Sequence, residues 1–331
     1  MTDIALIEAA AERLRGRVRT TPLLSSPRLD AVAGRPVLVK AECLQHTGAF
    51  KARGAWAAVS ALPEGTAGVL ALSSGNHAQG VAWAARAHGL PAVVVMPADA
   101  PAVKIEGTRA LGAELVLYDR AREDRDALGA RLAAERGLAL IRPYDDREVI
   151  AGQASVGLEI AAQAAEAGVA RADVLVCCGG GGLTAGIALA LEARAPGLRA
   201  RPVEPDGFDD TARSLAAGRP VRNARVSGSL CDAILTPEPG RLTFPVMARL
   251  CGPGLVVTED EALRAMALAS SALKIVLEPG GAVALAAALF HGAALAEGPV
   301  IAVASGGNVE PALLARAIAG ATAPAGPPTP G

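Results

Sequence analysis

The stretch Leu72–Gly80, LSSGNHAQG, sets the hydroxyls of Ser73 and Ser74, the amide of Asn76 and the imidazole of His77 within five positions. The residues around them are small enough for the backbone to approach a ligand closely. A second stretch, HTGAFKARGA, holds Lys51 beside Phe50 and small neighbours. A lysine so placed is either desolvated, with a lowered pKa suited to Schiff-base chemistry, or a surface lysine near a helix start, which is how Arg53 reads. A third, CCGGGGLTAG, places Gly179, Gly180, Gly181 and Gly182 between a buried strand and a helix. Four successive glycines bare their N–H groups to a phosphate at a helix N-terminus, or form a flexible loop. No Lys-Ser/Thr follows and the spacing is not GxGxxG, which argues against a Walker loop and a dinucleotide fingerprint. SGGN, Ser305–Asn308, offers a hydroxyl just past a strand, the edge at which open α/β sheets bind ligands. The four histidines, His46, His77, His88 and His291, show no HxH or HExxH spacing, so zinc-hydrolase chemistry has little support. His88 and His291 read as helix-end residues.

The elements that must hold these groups are legible as alternating apolar runs and helical patterns. Strands are expected at 36–42, 68–73, 91–97, 113–118, 173–178 and 299–305. These are continuous apolar runs, as in strands covered on both faces of a parallel sheet. Helices are expected over 78–88, closed by Gly89, and over 259–274, capped by Thr258 with acids in the first turn. The βαβ rhythm indicates a doubly wound α/β architecture. Residues 68–145 read as a small α/β domain inserted into a larger one built from 1–67 and 146–320, and the Pro/Gly-rich tail 322–331 reads as disordered.

With 331 residues, 51% of them hydrophobic but only 2% aromatic, the chain builds its core from Ala, Val and Leu. A formal charge of −1 gives no reason to expect nucleic acid or an anionic membrane as partner. No run reaches the roughly 20 apolar residues of a membrane span. The five cysteines have no CxxC spacing, which reads as reduced thiols in a cytoplasmic protein.

The motifs in their order, GAFKARGA, SSGNHAQG, GGGGL and SGGN, together with RTTPLL, VIAGQASVGLEI, VEPDGFDD and LKIVLEPGGAVAL, resemble the fold type II pyridoxal phosphate enzymes. More narrowly, they resemble the threonine/serine dehydratase and serine racemase family, from about Thr20 to Asn308. The resemblance implies a tryptophan synthase β-like fold, two open twisted α/β domains with pyridoxal 5′-phosphate between them. It assigns Lys51 the Schiff-base link to the cofactor and the base role at Cα. Phe50 packs beside the ring, Asn76 bonds its phenolic oxygen, Gly179 to Gly182 and Leu183 hold its phosphate, and Ser305 faces its pyridine nitrogen. Ser73, Ser74, Asn76 and His77 receive the substrate carboxylate, a role that a helix cap by either serine does not exclude. In serine racemases the residue matching Ser74 is the base on the face opposite the lysine, so Ser74 permits racemisation without requiring it. VEPDGFDD resembles the family's divalent cation site, with Glu204, Asp210 and the Phe208 carbonyl as ligands for Mg²⁺ or Ca²⁺. An acidic surface loop is the plainer reading.

The chain departs from the family at Ala49, where serine is usual, at GQAS (Gly152–Ser155), and in LASSALKIV. These positions bear on substrate and pocket size. The end of the chain near Ala321 leads us to expect no regulatory C-terminal domain. The expected activity is that of an ammonia-lyase converting a β-hydroxy-α-amino acid, L-threonine or L-serine by default, to a 2-oxo acid and ammonia. The expected protein is a cytoplasmic homodimer. The alternatives are a serine-type racemase, a dehydratase of hydroxyaspartate or another 3-substituted serine, a non-catalytic amino-acid binder and a nucleotide-dependent oxidoreductase. Intact Lys51, Asn76, glycine loop and Ser305 argue against the binder, and the lack of GxGxxG against the oxidoreductase.

Overall fold

Long runs of Val, Leu and Ala leave a strand no polar face, so it must be covered on both sides. A computed structural model of the chain, describing residues 2–100 and 102–322, shows this arrangement. Strands β1 (Leu23–Ser25) and β2 (Val37–Lys40) are followed by β3 (Val69–Leu72), β4 (Ala92–Pro97), β5 (Glu114–Tyr118) and β6 (Ala139–Leu140). Then come β7 (Ala172–Cys177), β8 (Leu198–Pro205), β9 (Leu255–Val257) and β10 (Val300–Val303). One sheet has the order β1-β2-β10-β7-β8-β9 and the other β5-β4-β3-β6. All pairs are parallel except β1 with β2. Every residue of β4 and of β7 is buried. The four-stranded sheet is contiguous in sequence, whereas the six-stranded one draws strands from both sides of it. Of the tail expected to be disordered, Thr322 ends the helix Pro311–Thr322 and the remainder lies outside the described residues.

Small residues set the helix packing that matters for the site. The helix Arg147–Glu166 lies against the helix Lys51–Ser60 on one side and Gly182–Arg194 on the other. A Cβ on Gly152 would sit 2.6 Å from the Arg53 carbonyl oxygen, and one on Gly54 2.9 Å from that of Val149. Against the third helix, a Cβ on Gly186 would meet the Ile150 carbonyl at 2.7 Å. Backbones this close require glycine. The helix bearing Lys51 and the helix that follows the glycine loop are thereby fixed through one shared neighbour.

Several expectations need correction. Arg53 is no surface residue: it is fully buried and pairs with Glu42 and Glu159. The helix expected over 78–88 runs Asn76–Ala87, with His88 at its cap and Gly89 at φ +68°. The helix from Glu259 has its Thr258–Glu261 capping box, but stops at Leu268. A π-helical turn, Ala269–Leu273, follows, and Lys274 sits at φ +61°. Strand β8, with the sequence LRARPVEP, escapes a reading by apolar runs because of its arginines. Arg201 is nevertheless buried, with Nη1 donating to Asp173 Oδ2 at 2.9 Å and to the Ala294 carbonyl at 2.7 Å. Strands β1, β6 and β9, two or three residues each, are too short for a period to register. His88 and His291 do cap helices, and all five cysteines are free and buried.

Candidate active site

The separated motifs converge where parallel strands end. Ser305 follows β10, the glycine loop follows β7, and the Ser73–Asn76 turn follows β3. The SGGN segment is the hub. The Phe50 amide donates to the Ser305 carbonyl at 3.1 Å, Ala49 bridges Gly306, and the Gly307 amide donates to Gly48 at 2.9 Å. Asn308 Nδ2 donates to Asn76 Oδ1 at 2.7 Å, so this one segment touches both the Lys51 and the Asn76 motifs.

Lys51 opens its helix with its amine 5.0 Å from the centre of the Phe50 ring. Nζ donates to the Pro143 carbonyl at 2.6 Å. That acceptor is neutral, so nothing offsets the cost of desolvating a charge, and burial draws the amine down to about 8. Of the two readings left open by sequence, the desolvated lysine is the one realised.

Asn76 begins the next helix and is held from both ends. Its Nδ2 donates to Glu278 Oε1 at 2.6 Å while Oδ1 accepts from Asn308. Those partners fix which end is the amide nitrogen, and one of its two N–H groups remains for a ligand. Glu278 is buried and pushed up to about 7, chiefly by desolvation. Nothing local in LEPGG points to this carboxylate as part of a site, beyond its being an acid inside an otherwise apolar run. His77 is also buried, and Nε2 lies 2.8 Å from the Ile141 carbonyl, so that nitrogen carries the proton. Burial, with Lys51 nearby, lowers it to about 3 and keeps the ring neutral. Ser73 Oγ accepts from the Gly75 amide at 3.2 Å, while Ser74 is half-buried with no hydrogen-bond partner among the described residues. Neither serine caps the helix: its N-cap is Gly75, without a side-chain bond.

The glycine loop tests whether a phosphate-bearing ring fits. A Cβ on Gly180 would run into the Tyr144 ring, and one on Gly181 would lie 2.5 Å from Met247 Cε. Gly181 also has φ +85°, a conformation that L side chains rarely adopt. The loop is therefore bare backbone by necessity. The first amides of the helix it opens, on Gly182, Leu183 and Thr184, lack intrahelical acceptors and favour an anion. Ser305, buried against the Cys177 thiol, presents a neutral group rather than a carboxylate. Lysine, glycine cradle and serine together suit pyridoxal phosphate.

Glu204 and Asp210 stand apart from this cluster, at the end of β8 and the start of the helix Asp210–Ala217. Glu204 accepts from the amides of Thr211 and Ala212 at 2.9 and 2.7 Å, and Asp210 Oδ1 from Asn223 at 2.5 Å. Asp210 Oδ2 is buried without a partner. Burial raises Glu204 to about 8 and Asp210 to about 7. Phe208 is buried between them in sequence. The acidic surface loop is thus excluded for these two carboxylates. Among the described residues no group of three or more His, Cys, Asp or Glu side chains is arranged to hold a metal.

Comparison with known proteins places the chain in a family. A family model described as pyridoxal-phosphate dependent enzyme matches residues 14–306. The L-threo-3-hydroxyaspartate ammonia-lyase of a Pseudomonas species is 41% identical over 84% of this chain and 86% of its own. A serine racemase of Oryza sativa subsp. indica is 38% identical, covering 93% of this chain and 91% of its own. Among solved structures, a threonine deaminase of T.th. superposes with a TM-score of 0.88 at 44% identity, covering 93% of this chain and 99% of that one.

Proposed function

The chain belongs to the pyridoxal-phosphate dependent enzymes of fold type II, and from that premise we propose that it is an ammonia-lyase for a β-hydroxy-α-amino acid. L-Threonine, L-serine and L-threo-3-hydroxyaspartate are the substrates to try first. The observation that carries this reading is the lysine amine that burial lowers to about 8, its one acceptor a neutral carbonyl, beside a loop with no room for a side chain at Gly180 or Gly181.

Pyridoxal phosphate, when bound, supplies the electron sink for a carbanion at Cα. Lys51, Phe50, Asn76, the loop Gly179–Gly182 with Leu183, and Ser305 are the residues we assign to hold it. The turn Ser73–His77 orients the substrate carboxylate with N–H and hydroxyl donors at a helix start, and neutral His77 adds no charge that would misplace it. Lys51 takes the Cα proton, the β-hydroxyl departs as water, and the released enamine hydrolyses to a 2-oxo acid and ammonia. A neutral Ser305 hydroxyl does not hold a proton on the ring nitrogen, which suits prompt loss of a β-leaving group over storage of the carbanion.

Lys51 reacts with an aldehyde only when unprotonated. Below a pKa of about 8 the amine is charged, so coupling of the cofactor-free protein to the cofactor is expected to slow as pH falls through 8. The rate, followed by absorbance from pH 6 to 11, should level off above that midpoint. A midpoint at the ordinary lysine value would contradict the desolvated site.

Racemisation is the second reading, favoured by the unpartnered Ser74 hydroxyl on the substrate-binding turn. Proton NMR of L-serine with the loaded enzyme in D₂O separates the two. Pyruvate forming faster than deuterium enters residual serine supports the lyase, whereas deuterated serine accumulating without pyruvate refutes it. In the second case Ser74→Ala should abolish D-serine formation.

We further assign Glu204, Asp210 and the Phe208 carbonyl to a divalent cation such as Mg²⁺. The support is the unpartnered Asp210 oxygen beside a second buried carboxylate, since hard oxygen donors suit such ions. Calorimetric titration with Mg²⁺ tests this, and no heat of binding would remove the ion. The segments around the two sheets, 68–145 and its flanks, are taken as the small and large domains. We take the enzyme to work as a cytoplasmic homodimer, with sedimentation to decide the oligomer. Among the described residues no helix is long and apolar enough to cross a membrane.

A further inference from the structure

Gln153 is fully buried, and neither its Oε1 nor its Nε2 has a hydrogen-bond partner among the described residues. A carboxamide can make four hydrogen bonds, and burying it with none is costly. Methionine would fill the same space without that cost. The position of the side chain is informative. It projects from the helix Arg147–Glu166, whose glycine contacts fix the Lys51 helix and the glycine-loop helix together. A Cβ on Gly54, one turn past Lys51, would lie 2.8 Å from Nε2. A Cβ on Gly182, where the loop becomes helix, would lie 3.0 Å from Oε1. Tyr144, which borders the loop, would also be met by that same Cβ at 3.0 Å. The one carboxamide left without partners in this packed region thus stands between the two elements that must hold opposite ends of the cofactor.

We propose that Gln153 is a positioning residue of the cofactor site, whose carboxamide completes its hydrogen bonds when the cofactor's phosphate seats in the glycine loop. Oε1 lies on the loop side and Nε2 on the Gly54 side. The two ends of a carboxamide are nearly isosteric, so turning it end for end brings the NH₂ group to the loop side, where it donates to the phosphate or to a water that the phosphate orders. The inference rests on the reading that pyridoxal phosphate is the cofactor, and it concerns affinity rather than chemistry.

The test compares the cofactor-free wild type with Gln153→Met. Pyridoxine 5′-phosphate, which lacks the aldehyde and cannot link to Lys51, is titrated calorimetrically, with phosphate-free pyridoxine as control. Melting temperatures are recorded with and without ligand. We expect Gln153→Met to melt at or above the wild type when empty, yet to bind pyridoxine 5′-phosphate about tenfold more weakly, one hydrogen bond to a charged group. Its affinity for pyridoxine should be unchanged. Equal affinity of the two proteins for the phosphate ester overturns the proposal. So does an equal fall in melting temperature with and without ligand, which would make the carboxamide a structural element. Failure of the wild type to bind the ester would overturn the cofactor reading as well, and is distinct from both.

Discussion

Lys51→Ala is expected to lower kcat by at least about 10²–10⁴-fold, the usual worth of a positioned general base, while leaving the fold intact. The two effects separate because of how the amine is held. Its one hydrogen bond is to the Pro143 carbonyl, and burial, which lowers the amine to about 8, already disfavours its charge. Removing it therefore relieves a desolvation penalty and forfeits only one hydrogen bond, so the cofactor-free variant should melt within a few degrees of the wild type. Borohydride reduction of the loaded enzyme, followed by mass spectrometry, supplies a second readout. The wild type should gain the mass of the reduced cofactor on the peptide containing Lys51, and the variant should not. Retention of 2-oxo acid formation within tenfold of the wild type would sink the assignment.

Arg53→Leu is expected to cost about 3–5 kcal/mol, the range seen when one partner of a buried ion pair is removed. Against a typical total of about 5–15 kcal/mol this is a large fraction. The guanidinium donates to both oxygens of Glu42, each at 2.8 Å, and to both oxygens of Glu159, at 2.6 and 2.9 Å. Ser155 Oγ and the Arg19 carbonyl, each at 3.1 Å, take the remaining donor capacity. Without it Glu42, fully buried, has no cation in contact, and Glu159 retains only Lys40 at 2.6 Å. Arg53→Lys should recover little, because a point charge cannot serve two carboxylates in a planar fork. Urea unfolding measures the loss, and a change under 1 kcal/mol would show that the cluster contributes nothing net. Since Arg53 lies two residues beyond Lys51 on one helix, the cluster also ties the start of that helix to the short 3-10 turn that holds Glu42.

These two residues show how far local sequence reaches. Lys51 and Arg53 are neighbours in KARGA, both cationic, and no periodicity distinguishes them. Lys51 stands out only through the order of motifs that accompany it. Arg53 reads as an exposed charge until Glu42 and Glu159, distant in sequence, are brought to it. The same holds for Arg201 in β8, whose pairing with Asp173 lets an arginine-bearing stretch run as an interior strand. Glu278 escapes a local reading because its partner Asn76 lies 202 residues away. Gln153 is marked only by its place in GQAS, where the departure from the family falls on its neighbours Ala154 and Ser155.

The sequence by itself determined the α/β class, the strands that run as unbroken apolar stretches, and the turns where glycine or a capping residue leaves no choice. Each of these is a property of a few adjacent residues, set by sterics and by which faces must leave water. It also carried, through the order of its motifs, the family and the residues GAFK, SSGNH, GGGG and SGGN. Tertiary structure decided which charged groups are paired and which are stranded, and therefore the pKa of Lys51, the neutrality of His77 and the raised carboxylates Glu204, Asp210 and Glu278. Those depend on burial and on partners supplied by other strands and helices. Electrostatic energy is set by distance and surroundings in space, neither of which is written in the order of residues along the chain.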